Sequence, residues 1–419
     1  MRKLFRNKNF SLLFAGNLVS SIGNTFYNFA ISWFILELTG SALQAGTYIA
    51  TGGFIGILLT PFAGVIADRI DRVKIVYMTD FIRGASVIVA GIVVGLDLSL
   101  GVTIAVLYAI TILLSINATL FQPAVTSLQA DILSADDYQS ANASISLIRS
   151  FEGIIGVLLG GVLYALLGVR WIFIINGISF ILSGVSEVFI RHPFTPKGQL
   201  SWRSGLVDLT DGFRYLLTYK GLLSLMIAIL LINFAFVPMF ANVMPYMFNQ
   251  ILQASPLDFS VVQVSISVGM LLSAVVISNL SKALSPSKSI YFGLSGMIVT
   301  YFMVTIAIYF MINSPYEYTV FWLLMIGLMF TFGVINIFVN TPISTAFMKT
   351  IAPEFRGRSN ATINVLSQAA IPLSIFLGGL LIELGSVVYV MLFGSFLLVF
   401  IWIYLLRSRS VRSYLATYE

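Results

Sequence analysis

Apolar runs of twenty or more residues recur along the chain, separated by short polar stretches. Twelve such segments can be drawn, at roughly 11–38, 43–67, 74–96, 101–128, 140–167, 171–190, 221–248, 259–281, 289–312, 318–347, 360–384 and 387–406. A helix of about 20 residues crosses the roughly 30 Å of hydrocarbon in a bilayer. Backbone polar groups in lipid must be bonded internally, which favours helices for runs of this length. The pattern predicts an all-α membrane protein with twelve transmembrane helices. The longest hydrophilic stretch, Arg191 to Lys220, divides the spans six and six. This gives an N-terminal bundle over 1–190, a cytoplasmic linker over 191–220 and a C-terminal bundle over 221–419. Within the linker, Trp202, Leu206, Leu209, Phe213 and Leu216 recur at helical spacing, with Asp208, Asp211 and Arg214 on other faces. That pattern predicts an amphipathic helix lying at the membrane surface.

The two halves carry matched landmarks. Pro123 is followed by Asn142-Ala143 and then Gly160-Gly161; Pro342 is followed by Asn360-Ala361 and then Gly378-Gly379. The spacing from Asn to the first Gly is 18 in both. Three landmarks in one order point to two six-helix pseudo-repeats.

Composition supports the membrane reading. Hydrophobic residues are 58% of the chain and charged residues 10%, against about 25% charged in soluble domains. The first apolar segment is too long for a signal-peptide core and is expected to be retained. With the N-terminus inside, 20 of the 23 basic residues fall in cytoplasmic segments and Arg170 alone falls in an outer loop. This inside bias explains the net charge of +6 without a nucleic-acid partner. It predicts an integral protein of the cytoplasmic (inner) membrane with both termini cytoplasmic. Cysteine is absent and His192 is the single histidine, so no disulfide, metal or cofactor is expected.

One run of charge between two apolar segments is specific. Gly64 is followed at four residues by Asp68, then Arg69, Asp71, Arg72 and Lys74. The run resembles the loop between the second and third helices of major facilitator transporters, Gly-x-x-x-Asp-Arg-x-Gly-Arg-Arg, with Asp71 in place of the usual Gly. Trp33 to Ala42 resembles the end of the first helix in the drug/proton antiporter branch of macrolide-efflux and enterobactin-exporter proteins. The resemblance implies parallel six-helix repeats with a substrate site near the bilayer middle. It also implies a cytoplasmic gate, in which Asp68 meets the N-terminus of the eleventh span near Ser359-Asn360, where free N–H groups and the helix dipole favour a carboxylate. Antiporters of the superfamily carry Gly-Pro-x-x-Gly-Gly in the fifth span. Here Gly156 is followed by Val157, with Gly160 and Gly161 after it, so close helix packing explains these glycines, and Gly378 and Gly379, equally well.

Ionisable residues in hydrocarbon are costly and usually pair or line a pathway. Asp80 with Arg83, and Arg149 with Glu152, stand at i,i+3 and share a helix face. Glu152 lies ten residues past Asn142, about 15 Å along the helix, and its repeat counterpart is Ala370. Glu152, Arg149, Asp80, Arg83 and, at the outer end of the first span, Glu37 are the proton-coupling candidates. Polar stripes with Asn24 and Asn28 in the first span, Gln122 in the fourth and Asn336 and Asn340 in the tenth suggest a cavity or helix–helix hydrogen bonds. Asn233, Phe236 and Phe240 in the seventh add an adaptable aromatic surface for partly apolar ligands, or plain packing.

No nucleotide-binding loop, zinc-peptidase pair or hydrolase elbow is present, so the chain is not read as an enzyme. The favoured reading is a monomeric secondary transporter, a proton-coupled exporter of amphipathic small molecules working by alternating access among membrane lipids. A dedicated siderophore or metabolite exporter is the alternative. An uptake symporter and a non-transporting lipid-handling protein rank below both.

Overall fold

A computed structural model describes residues 4–67, 69–96, 98–134, 137–193, 210, 213–214, 217–280, 285–350, 365 and 367–416. Among the described residues the chain is all helix. The helices are α1 (Lys8–Thr39), α2 (Ala42–Ala67), α3 (Arg72–Val94), α4 (Leu100–Ile132), α5 (Tyr138–Phe151), α6 (Val157–Val188), α7 (Lys220–Pro238), α8 (Met244–Tyr246), α9 (Pro256–Leu280), α10 (Pro286–Asn313), α11 (Tyr318–Thr350), α12 (Ile371–Leu384), α13 (Val387–Arg407) and α14 (Arg409–Ala416). Helix coincides with each of the twelve predicted segments, although the start of the eleventh lies outside the described residues.

The departures from the sequence expectation have local causes. Residues 138–188 form one helical run, too long at about 76 Å for a single crossing. Gly168 breaks it with φ +75° and ψ 169°, a conformation open to glycine and disfavoured for residues with a Cβ. The fifth and sixth spans therefore meet at one residue, where a short loop at 168–170 was expected. Gly40, with φ +65°, likewise ends α1 and lets α2 start two residues later. There the Ser41 hydroxyl accepts from the Gln44 backbone N–H at 3.1 Å. Wider π turns interrupt the fifth span at Glu152–Gly156 and the seventh at Met239–Val243 and Met247–Ile251. Pro123 and Pro342 sit inside α4 and α11, two helices of 33 residues each, at near-equal distances from their starts. The third span begins two residues earlier than expected, so Arg72 is its first helical residue. The C-terminal α14 was not anticipated. It packs on the start of α7, where the backbone of Ser410 and the ring of Tyr414 lie against Gly221.

The chain divides into two compact units. One holds Met1–Leu38, Thr51–Val207 and Ser255–Leu257; the other holds Thr39–Ala50, Asp208–Ala254 and Asp258–Glu419. In the first, α3 packs against α6 and α4. A core at one end of this unit joins Leu13, Val76, Phe121, Ala124, Leu128 and Ile190. In the second, α11 packs against α10, and α13 against α7 and α10. Most of the predicted linker helix, including Trp202, Leu206, Leu209 and Leu216, lies outside the described residues; Phe213 and Arg214 are helical and exposed.

Candidate functional site

The charged run after α2 is built as a staple among helix ends. Asp71 precedes α3 as its N-cap, its carboxylate accepting from the Val73 backbone N–H at 3.0 Å. Capping gives an acidic residue at this position a direct structural use. Arg72 then turns inward and is 7% exposed. Its Nε donates to the Ala67 carbonyl at the end of α2, 3.2 Å away, and its Nη1 pairs with Asp131 at the end of α4. His192 Nε2 stands 3.8 Å from the same carboxylate. One guanidinium thus ties the ends of α2, α3 and α4. Arg69 is half-buried, while Gly64 and Lys74 are exposed. Gly64 has open space at its Cα, so packing does not require a glycine there. Asp68 and the helix start near Ser359-Asn360 lie outside the described residues. Beside the staple, a groove of about 460 Å³ is lined by Asp71, Lys74, Tyr77, Arg191 and His192 among others.

Two turns further along α3 lies a second charged set. Asp80 and Arg83 form the ion pair that their spacing predicts. Asp80 is 0% exposed, and the guanidinium of Arg83 is held between the rings of Phe121 and Phe180, 4.1 and 4.6 Å from their centroids. Stacking on aromatic faces compensates a desolvated cation. Glu187 of α6, also 0% exposed, joins this pair. Its carboxyl receives the Ser183 hydroxyl at 3.3 Å and is an electrostatic neighbour of Asp80 and Arg83. Neither Asp131 nor Glu187 stands out in the sequence alone. A lone carboxylate inside the apolar stretch from Phe180 to Ile190 was the available signal for Glu187.

The second predicted intramembrane pair does not form. Arg149 is exposed and Glu152 half-buried, and among the described residues no ion pair joins them. The backbone between them is α-helical, the Glu152 N–H still reaching the Ile148 carbonyl, and the π turn starts only at Glu152. The i,i+3 spacing is therefore kept, and the pair is absent because the Arg149 side chain is turned out to the exposed surface. Glu37 is exposed at the end of α1 and accepts the Tyr164 hydroxyl at 2.5 Å.

The other candidates fall into two groups. Asn24, Asn28, Gln122 and Asn340 are exposed and Asn336 is half-buried. The Asn340 amide donates to the Asn336 side-chain oxygen at 2.7 Å. Asn233 donates to the Ser367 carbonyl at 3.1 Å. Phe236 is buried, with its ring centroid 5.3 Å from Tyr301 and 5.1 Å from Phe332; Phe240 is half-buried, 5.2 Å from Phe332. The glycines mark close approaches. A Cβ at Gly156 would lie 2.8 Å from Thr25, and at Gly160 3.0 Å from the Phe29 ring. At Gly378 it would lie 2.8 Å from Pro238, and at Gly379 2.6 Å from the Ala42 carbonyl oxygen. Gly161 is buried beside Gly160.

Comparison with known proteins agrees with this architecture. The chain is 30% identical to the MFS-type transporter YkuC of Bacillus subtilis (strain 168), over 71% of this chain and 70% of that one. It is 25% identical to the multidrug efflux pump Tap of Mycolicibacterium fortuitum, over 88% and 87%. It is 23% identical to macrolide efflux protein A of Streptococcus pyogenes, over 64% and 65%. Among solved structures, a bacterial homologue of the iron transporter ferroportin in its inward-facing state superposes with a TM-score of 0.77 at 18% identity, covering 97% of this chain and all of that one. At that identity the likeness speaks to fold alone. The family model described as Major Facilitator Superfamily matches residues 13–375, and the chain is an integral membrane transporter belonging to that superfamily.

Proposed function

We propose that this protein is a proton-coupled exporter of amphipathic small molecules, working by alternating access in the cytoplasmic membrane. The observation that carries the reading is the similarity to the multidrug efflux pump Tap across 88% of the chain. Similarity to a macrolide efflux protein supports it. The two six-helix bundles, 1–190 and 221–419, are the working halves, joined by 191–220, and both termini are cytoplasmic. Asp68, with Gly64, Arg69, Asp71, Arg72 and Lys74, forms the inner gate. The exposed amides of Asn24, Asn28, Gln122 and Asn340, with Asn336, Asn233 and Phe240, are the polar and aromatic groups offered to substrate. Glu37, Asp80 and Glu152 are carboxylates available for coupling, with Arg83 and Arg149 as their basic neighbours.

The energetics allow this role. A proton crossing the potential releases about 2.3 kcal/mol per 100 mV, whereas a tenfold substrate gradient costs about 1.4 kcal/mol. One proton per molecule therefore suffices for useful extrusion. The test is reconstitution in proteoliposomes, following radiolabelled erythromycin and ethidium with and without an imposed pH gradient. Gradient-dependent accumulation of either probe is expected. Movement of neither, or movement indifferent to collapse of the proton gradient, would count against the reading.

A further inference from the structure

The buried set on α3 and α6 contains two carboxyls and one guanidinium. Its electrostatic neighbours among the described residues are its own members: Asp80 faces Arg83 and Glu187, and Glu187 faces Asp80 and Arg83. The elements packed around it add only neutral groups. On α1, Gly16 is so close that a Cβ there would lie 2.8 Å from the Ser183 hydroxyl and 3.1 Å from Glu187 Oε1. Phe121 covers it from α4, and Phe180 and Ser183 from α6.

Two ionised carboxylates do not hydrogen-bond to each other, since each only accepts. With both ionised the set carries a net charge of −1 where Asp80 and Glu187 have no exposed surface, and an uncompensated buried charge is expensive. Three polar atoms of the set also lack partners: Asp80 Oδ2, Glu187 Oε2 and Arg83 Nε. One proton between the carboxyls brings the net charge to zero and turns one of the two acceptors into a donor. Two carboxyls sharing one proton beside each other is an arrangement known from buried acid pairs.

We propose that Asp80 and Glu187 are a binding site for a single proton, with Arg83 as its fixed counter-charge. The site lies about 12 Å along α3 from its first residue. Gly16 of α1 forms the wall that separates Glu187 from the far side of that helix. Displacement of α1 would admit water, and the proton would leave to it as hydronium. The use of this proton in coupling rests on the exporter reading above; the site itself does not.

The decisive measurement is infrared spectroscopy of the purified full-length protein in lipid nanodiscs, in H2O and D2O at neutral pH. The wild type is expected to show the C=O stretch of a protonated carboxyl that shifts down in D2O. Glu187→Gln, which keeps the set neutral beside an ionised Asp80, should fold and lose the band. Glu152→Gln should keep it. A wild type without the band, or Glu187→Gln retaining it in full, overturns the proton site. Ethidium efflux driven by a pH gradient is read in the same preparations. If the wild type drives it and Glu187→Gln is unimpaired, the proton is not the coupling proton. If the wild type moves no ethidium while the band behaves as expected, the exporter reading fails for that probe and the proton site stands.

Discussion

Replacing Arg83 by Met removes the one cation of the buried set while filling most of its volume between Phe121 and Phe180. With the shared proton in place the wild-type set is neutral; Arg83→Met leaves it at −1. Asp80 is 0% and Arg83 7% exposed, so solvent screening does little. Breaking a buried pair by deleting one partner costs about 3–5 kcal/mol. Loss of two cation–π contacts adds to this, but sulfur–aromatic contacts of Met offset part of it. The unfolding equilibrium should therefore shift by about two to nearly four powers of ten. Asp80→Asn with Arg83→Met leaves Glu187 protonated and the set neutral again, and should recover most of the loss, since neutral replacements of buried ion pairs are often tolerated. The assay is titration with SDS in mixed micelles, followed by the fluorescence of the five tryptophans. A cost below about 1 kcal/mol for Arg83→Met, a fraction of the figure above, would refute the charge argument. So would a double variant no more stable than the single one. Recovery only when Glu187→Gln is added would mean that Glu187 is ionised and the proton absent.

The remaining predictions concern other parts of the molecule. Asp131→Asn weakens the staple at Arg72; because Asp131 keeps 26% of its side chain exposed, the expected cost is only about 1 kcal/mol. The exchange Arg72→Asp with Asp131→Arg should be more stable than Arg72→Asp alone, and equality of the two in SDS titration would remove the pair from the account. Gly379→Ala should destabilise more than Gly160→Ala, because the new methyl meets the backbone of Ala42 and Leu43 in the first case and a turnable Phe29 ring in the second; the reverse order in thermal melts would contradict the packing. Since the chain has no cysteine, a Cys at Ser314 should react with an impermeant maleimide in intact cells and a Cys at Lys197 only after permeabilisation. Labelling of position 197 in intact cells would invert the topology.

The spans were legible because lipid imposes a single rule on every residue of a crossing helix, and runs such as Leu100–Ile132 obey it without help from tertiary contacts. Gly168 carries no such local signal. Its φ of +75° is invisible until the chain is seen to need a corner there. Asp80 with Arg83 was legible because both lie on one helix. Glu187 was not, since its partners stand more than a hundred residues away on α3 and nothing local marks a lone carboxylate as paired. Asp131 is hidden for a related reason: it lies beyond the apolar run 101–128, and only the extension of α4 to Ile132 places it beside Arg72. The spacing of Arg149 and Glu152 puts both on one α-helical face, but a shared face does not fix side-chain direction, and Arg149 stays exposed.

The charged set and the glycines of α3 and α6 are parts of one arrangement. A Cβ at Gly84 would lie 2.8 Å from the Gly177 carbonyl oxygen, and one at Gly177 2.8 Å from that of Gly84. A Cβ at Gly91 would lie 3.0 Å from the Arg170 carbonyl oxygen, and one at Gly184 3.3 Å from that of Tyr77. These contacts run in opposite directions along the two helices, so α3 and α6 are antiparallel and nearly touch by backbone over about four turns. Helices in lipid gain little from burying apolar surface against each other, and small residues let dispersion and polar contacts act at short range. The same closeness leaves no room for water beside Asp80 and Glu187, which strengthens the attraction of Arg83 for both. It also raises the cost of any charge left over. A wider α3–α6 spacing would admit water, and each carboxyl could then ionise separately. The glycines therefore determine whether this part of the membrane domain holds three independent charges or one neutral, proton-bearing group.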